Sequence, residues 1–281
     1  MKRGQIEDEI LNITASAETK ITPRDLENLV AHRFSLNRHE AGEYLKSLIL
    51  EEALCYTYEF GRTCIEISFN RPVRLSKNVI IKPPDRHYTL EKGEVTVNIK
   101  GGASFGTGRH PTTRLSVRGI EAAMALYRLT GGAAPTSCLD LGTGTGILVV
   151  TAVLLGVERG VGIDIDPVAV SEALENVRLN GLADRIRIYS LSADEIDGTY
   201  PMIIANLRYT ALIRLFPTLS AILEENGLLV MSGIKSEELS DVLSVYEGAI
   251  WRVAFREEEK GWAGIVLVKN GQQRQIQSLP A

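Results

Sequence analysis

Disulfide bonds, structural zinc, a membrane span and a secretory leader all lack support in this chain of 281 residues. Its three cysteines, Cys55, Cys64 and Cys138, are an odd number without C-x-x-C spacing, so neither a disulfide framework nor a zinc knuckle is suggested. No apolar run reaches the ~18 residues that a membrane span requires. The first residues, Met1-Lys-Arg-Gly-Gln-Ile-Glu-Asp-Glu9, offer two cations but no apolar segment behind them, unlike a secretory signal. An excess of positive charge is missing too: Lys and Arg total 31 against 35 Asp and Glu, a net charge of −4, which gives no electrostatic case for wholesale nucleic-acid binding. There is no His/Cys/Asp/Glu cluster at metal-ligand spacing, no G-x-S-x-G nucleophile motif and no internal repeat. What remains is an ordinary globular composition, 44% hydrophobic and 23% charged, long enough for one or two domains. The expectation is a cytoplasmic protein.

Against these absences stands one dense stretch, Cys138-Leu-Asp-Leu-Gly-Thr-Gly-Thr-Gly-Ile-Leu148, followed by Val161-Gly-Ile-Asp-Ile-Asp-Pro167. A short apolar strand runs into Gly142, Gly144 and Gly146, then into an apolar segment of helical length, then into a second strand ending on Asp164. A strand that turns sharply into a helix uses glycine so that its backbone can approach a ligand. Asp164 comes 22 positions after Gly142, where such folds set a carboxylate against a ribose diol. These features predict a nucleoside-cofactor site. The spacing is not the dinucleotide G-x-G-x-x-G, because Ile147 stands at the third glycine position. The pattern from Asp140 to Gly146, D-x-G-x-G-x-G, resembles motif I of class I S-adenosylmethionine-dependent methyltransferases. In such a site the N–H groups at the helix start would face the methionine carboxylate.

The chain divides by pattern. Residues 1–75 read as a module of three helices, near 5–17, 23–34 and 37–49, opened by Thr22-Pro23 and Asn37 as caps. A hairpin follows, with strands 53–59 and 64–69 flanking Gly61-Arg62. This order resembles a winged helix-turn-helix. With ten Lys/Arg against twelve Asp/Glu in residues 1–75, the module lacks the basic face of a DNA binder, and protein contact is the favoured role. Residues 76–100 read as a β-rich connector with Pro83-Pro84. Residues 101–269 alternate strands (137–142, 160–165, 186–191, 201–206, 227–233, 250–258, 262–269) with helices (111–129, 145–155, 167–180, 209–224, 235–247). The expected fold is α/β, a Rossmann-like seven-stranded methyltransferase sheet whose last strand is antiparallel. The Gln-rich tail 270–281 is expected to be disordered.

A second motif, Gly101-Gly-Ala-Ser-Phe-Gly-Thr-Gly-Arg-His-Pro-Thr-Thr113, precedes the glycine turn. Here the chain resembles the PrmA-type family, the methyltransferases of ribosomal large-subunit protein L-eleven, which carry F-G-T-G-x-H-P-T-T before motif I. The resemblance covers about Gly101 to Lys269 and continues through Asp164-Ile-Asp-Pro167, Asn176, Asn180-Gly181 and Asn206. It implies that Thr113, Gly142, Asp164 and Asn206 contact S-adenosylmethionine. Phe105, Gly106 and Thr107 of the loop, and Asp140, Gly144 and Gly146 of motif I, complete the candidate cofactor-binding set. His110 reads as a packing residue. Ser192-Ala193-Asp194 is either a polar adenine neighbour or a solvated loop, and Glu257-Glu-Glu259 reads as a solvated turn.

Asn206-Leu-Arg-Tyr209 falls at the C-terminal edge of a central strand, where ligands bind in such sheets. The family has N-I/L-L-A here, and Tyr209 departs toward the N-P-P-Y of enzymes that methylate planar amines. Asn206 and Tyr209 are therefore the candidate catalytic pair, although Tyr209 could instead open the next helix and pack. A lysine acceptor, with a free pKa of ~10.4, would have to be desolvated and deprotonated, and no dedicated base is visible. The resemblance implies a protein N-methyltransferase acting on a lysine or α-amino group, with a ribosomal protein as partner. The family's small α/β substrate-grasping domain is replaced here by the helical module. Two rivals are a nucleic-acid or planar-amine methyltransferase and a regulator that senses S-adenosylmethionine without turnover.

Overall fold

The fold was read from a computed structural model that describes residues 3–17, 19–59, 61–100, 104–129, 134–246 and 251–270. The chain falls into two compact units, Met1–Arg71 and Pro72–Ala281. Gly101 to Ala103 and the tail from Gly271 to Ala281 lie outside the described residues.

The first unit holds α1 (Arg3–Ser16), α2 (Pro23–Phe34), α3 (Arg38–Leu50) and the antiparallel pair β1 (Leu54–Glu59) and β2 (Arg62–Ile67). The caps are those that the sequence offers. Thr22 accepts the Asp25 N–H with Pro23 in the first turn, and Asn37 with Glu40 forms a reciprocal capping box. Ile6, Ile10, Leu26, Val30, Ala41, Leu45, Leu48, Leu54 and Ile65 build its core. Ile21, between α1 and α2, bridges antiparallel to Ile65.

The second unit opens with a three-stranded sheet, β3 (Val73–Arg74), β4 (Val79–Lys82) and β5 (Val95–Asn98). There follow α4 (Pro111–Leu129), β6 (Ser137–Leu141), α5 (Ile147–Leu154), β7 (Arg159–Asp164), α6 (Pro167–Leu179), β8 (Ile186–Ser190), β9 (Tyr200–Asn206), α7 (Tyr209–Arg214), α8 (Phe216–Ile222), β10 (Leu223–Lys235), α9 (Leu239–Tyr246), β11 (Trp251–Glu259) and β12 (Trp262–Lys269). The main sheet has seven strands in the order β11-β12-β10-β9-β6-β7-β8. Its pairs are parallel from β10 through β8, whereas β12 runs antiparallel to both β10 and β11, as expected for the closing hairpin. Buried Leu139, Leu141, Ile203, Leu229, Met231, Ile265 and Leu267 fill its centre, and wholly buried strands read as continuous apolar runs for this reason. Among the described residues no helix is long and apolar enough to cross a membrane.

Several expectations shift. The helix expected over 209–224 breaks into α7 and α8 because Pro217, in the first turn of α8, has no N–H to continue an earlier helix. α5 starts at Ile147 rather than 145, since Gly146, at φ 79, is its cap. The stretch Glu257–Glu259 is no solvated turn. It is the end of β11, and Glu257 and Glu259 pair with Arg118 and Arg114 of α4. The stretch 76–100 holds β4 and β5. Asn180 both donates to the Asn98 carbonyl and accepts the Asn98 N–H, at 2.8 Å each, and Asn176 accepts the Lys100 N–H at 3.0 Å, fastening it to α6.

Candidate active site

The C-terminal ends of β6, β7, β8 and β9 open on a cavity of about 770 Å³, within the range of small-molecule sites. Its wall takes Gly142 and Gly144 from the turn after β6, Asp164 to Asp166 from the end of β7, and Leu191 to Asp194 after β8. Asn206 to Arg208 come from β9 and the turn after it, and Phe105, His110 and Trp262 complete the rim. Phe105, Gly142, Gly144, Asp164 and Asn206 of the expected set thus meet in one place.

Asp164 is held for use. Its Oδ2 accepts the Gly144 N–H and its Oδ1 the Asp166 N–H, both at 3.0 Å. A carboxylate has about four acceptor positions, so each oxygen keeps capacity toward the cavity. Gly144, at φ +54, serves the loop as much as the cavity: a Cβ there would collide with the Phe105 carbonyl oxygen. That oxygen accepts the Thr145 N–H at 3.0 Å, and the Gly106 carbonyl accepts from Thr145 Oγ1 at 2.8 Å. The sequence 104–113 therefore lies against the glycine turn by backbone contact. Gly146 is absent from the wall; it caps α5 and leaves room for Ala173 of α6.

Asp140 is also behind the wall, fully buried. Its Oδ2 accepts from Thr143 Oγ1 at 2.7 Å and from the Val149 N–H at 3.2 Å, while its Oδ1 has no partner. Burial pushes this carboxyl up to about 7, against the two hydrogen bonds and with help from the nearby Asp164 charge. Its role in this geometry is to brace the turn. Gly106, Thr107 and Thr113 do not border the cavity, although Thr113 is wholly buried and its Oγ1 lacks a hydrogen-bond partner. Tyr209 is absent from the wall as well: it is half-buried, opens α7 and packs against the core of the sheet.

Asn206 ends β9 opposite Ser232, and no described residue takes a hydrogen bond from its side chain or gives one to it. The next peptide is gripped, with the Leu207 N–H donating to the Ser232 carbonyl at 3.1 Å. Gly233, at φ +84, lets β10 pass so close that a Cβ would strike Leu207 backbone. Gly233 and Trp262 escaped sequence reasoning; a glycine at the end of an apolar strand is the only signal that could have marked the first.

The rim loop is anchored from far along the chain. His110 stacks between Phe105 (5.2 Å, tilted) and Trp262 (4.8 Å, edge-on), and its Nδ1 accepts the Thr112 N–H at 3.3 Å, in keeping with a packing role. Arg114 donates to the carbonyls of Gly108 and Arg109 while its other N–H groups reach Glu259, which also binds Arg118 at 2.5 Å. Burial would raise the Glu259 pKa, but the two guanidiniums outweigh it and hold it lowered.

The residues fit a nucleoside: a braced aspartate with acceptor capacity toward the cavity for a diol, and a glycine turn whose exposed Gly142 lets a ligand lie against the backbone. Seven strands with β12 reversed, the glycine turn after β6 and the carboxylate ending β7 together define a class I methyltransferase domain, whose cofactor is S-adenosylmethionine. Comparison with known proteins gives the family. Residues 66–270 match the family described as ribosomal protein L11 methyltransferase (PrmA), and the chain belongs to it.

Individual relatives agree. It is 38% identical over 176 residues to a ribosomal protein L11 methyltransferase of Geobacter sp. (strain M21), covering 63% of this chain and 57% of that protein. To the Geotalea daltonii protein of the same name it is 34% identical over 200 residues, covering 70% and 64%. The chain thus spans about three fifths of these relatives' length. A crystal structure of ribosomal protein L11 methylase from Lactobacillus delbrueckii subsp. bulgaricus superposes with a TM-score of 0.63 at 27% identity, covering 72% of this chain and all of that one.

Proposed function

We propose that this chain transfers a methyl group from S-adenosylmethionine to an amine of a protein, a lysine or α-amino group, with ribosomal protein L11 as the first acceptor to test. The observation that carries it is the meeting of Asp164 and the unpartnered Asn206 side chain at one cavity. When bound, the cofactor supplies a methyl already activated on a sulfonium. Asp164 would take the ribose hydroxyls, and the exposed Gly142 would let the cofactor's amino-acid end lie against the turn. Ile165, 77% exposed beside Asp164, would offer an apolar face to the base, and Asp194 would meet its polar edge. The chain's own task is then to strip water from the acceptor and aim its lone pair. The Asn206 amide oxygen would accept an acceptor N–H and orient it.

With Tyr209 packed against the core, the ring that the N-P-P-Y comparison would supply is not in the wall, and the protein amine is the better fit. We read residues 1–75 as a winged-helix-like module that recruits the acceptor, and such an acceptor puts the reaction in the cytoplasm. Labelled cofactor methyl, added with the chain to a bacterial lysate, should enter protease-sensitive material, and L11 in particular. Label only in nuclease-sensitive material would replace this reading with the nucleic-acid one.

A further inference from the structure

Two arginines in the cavity wall have no role in what precedes. Arg208 caps the start of α7 two residues after Asn206, and Arg214 ends the same helix. Both are exposed and both border the cavity. Among the described residues neither guanidinium has a hydrogen bond or an ion pair. Several guanidiniums of this unit are committed, Arg114 and Arg118 to Glu259 and Arg185 to the carbonyls of Val157 and Glu158, but Arg208 and Arg214 face the cavity uncommitted. The carboxylates of the wall, Asp164, Asp166 and Asp194, stand at the end of β7 or in the segments after β7 and β8. The cavity is therefore anionic along one side and cationic along α7. In the family pattern N-I/L-L-A a leucine stands where this chain has Arg208.

A guanidinium offers five N–H donors in a fork that matches carboxylate or phosphate, and it stays charged at any working pH. Six positions along a helix separate two residues by ~9 Å, too far for both to grip one small anion. In an extended segment successive side chains point to opposite faces, so the residues two before and two after a given position share its face, ~13 Å apart and within reach of two long arginine side chains. We propose that Arg208 and Arg214 form an anion subsite that selects protein acceptors carrying carboxylate side chains on either side of the methylated amine. This rests on the protein-amine reading. Carboxylates fit better than nucleic-acid phosphates, because Asp164, Asp166 and Asp194 across the cavity would repel a continuous run of phosphates, and the chain's net charge is −4.

The test is calorimetric titration of the full chain, loaded with S-adenosylhomocysteine, with acetyl-Glu-Ala-Lys-Ala-Glu-amide and with its counterpart in which both Glu are Gln. The acidic peptide should bind at least tenfold more tightly. The double variant Arg208→Met, Arg214→Met should lose that preference while still binding S-adenosylhomocysteine, which shows that it is folded. Equal affinity for the two peptides, no binding of either, or a preference that survives in the double variant would overturn the subsite. So would a single-stranded oligonucleotide that binds more tightly than both and depends on the arginines, since it would assign them to phosphate. Failure of the wider reading looks different: the peptide preference is intact, but no protein receives a methyl.

Discussion

Asp164 spends one lone pair of each oxygen on the Gly144 and Asp166 N–H groups, so its orientation is set before any ligand arrives. Hydrogen bonds to a charged group contribute ~1.5–3 kcal/mol. Asp164→Ala should therefore weaken S-adenosylmethionine binding roughly ten- to a hundredfold, read by calorimetry with the fold checked by circular dichroism; unchanged affinity would place the ribose elsewhere. Asp140 allows a pH test. Its folded value of about 7 lies above the ~3.9 of an unfolded aspartate, so the folded chain keeps a proton that the unfolded chain has released. Its contribution to stability must then fall as pH climbs through that window and level off above it. Asp140→Asn cannot titrate, so the difference in Tm between the native chain and the variant should change across the window and be constant on either side. A difference independent of pH would mean that the carboxyl is ionised in the fold throughout. The glycine motif was legible at this scale, but not the reason for each glycine: Gly144 and Gly146 make room for protein atoms, a fact that spacing alone does not carry.

At the scale of elements, the closing hairpin does more than complete the sheet. Glu259 at the end of β11 binds Arg114, which holds the loop carbonyls at Gly108 and Arg109, and Trp262 at the start of β12 packs on His110. Glu259→Gln should cost about 1–3 kcal/mol of stability and, by loosening the loop, weaken cofactor binding several-fold. The sign with pH is opposite to that of Asp140. With its folded pKa lowered, Glu259 stabilises the chain above the ordinary glutamate value of ~4.3, and this is lost as pH falls through the folded value. The advantage of the native chain over Glu259→Gln in Tm should thus vanish in acid; an advantage that persists there would make the ion pair irrelevant. These contacts span more than a hundred positions, which is why Glu257 to Glu259 read as a solvated turn in the sequence. The strands along the chain and the reversed last strand were readable because short polar turns and apolar periodicity are local, whereas the order across the sheet is set by pairing between distant segments. The break at Pro217 was readable in principle, since proline has only one effect on a helix interior.

For the whole molecule, the two units have separate cores, and the cavity is built wholly from the second. Removing Met1–Arg71 should leave S-adenosylmethionine affinity within about twofold, a change below ~0.5 kcal/mol, while abolishing transfer to the native acceptor. A truncated chain that still methylates that acceptor at the native rate would deny the module its recruiting role. The module's helices and caps were plain in the sequence, but its partner is not written there, because a mixed-charge surface excludes DNA more readily than it selects a protein. The decisive measurement incubates the full chain with purified ribosomal protein L11 and S-adenosylmethionine and reads the mass of intact L11 and of its proteolytic peptides. Whole methyl groups should be added at Lys or the α-amine, and lost with Asp164→Ala and with Asn206→Ala. An L11 of unchanged mass, beside a chain that demonstrably binds the cofactor, would contradict the proposed activity.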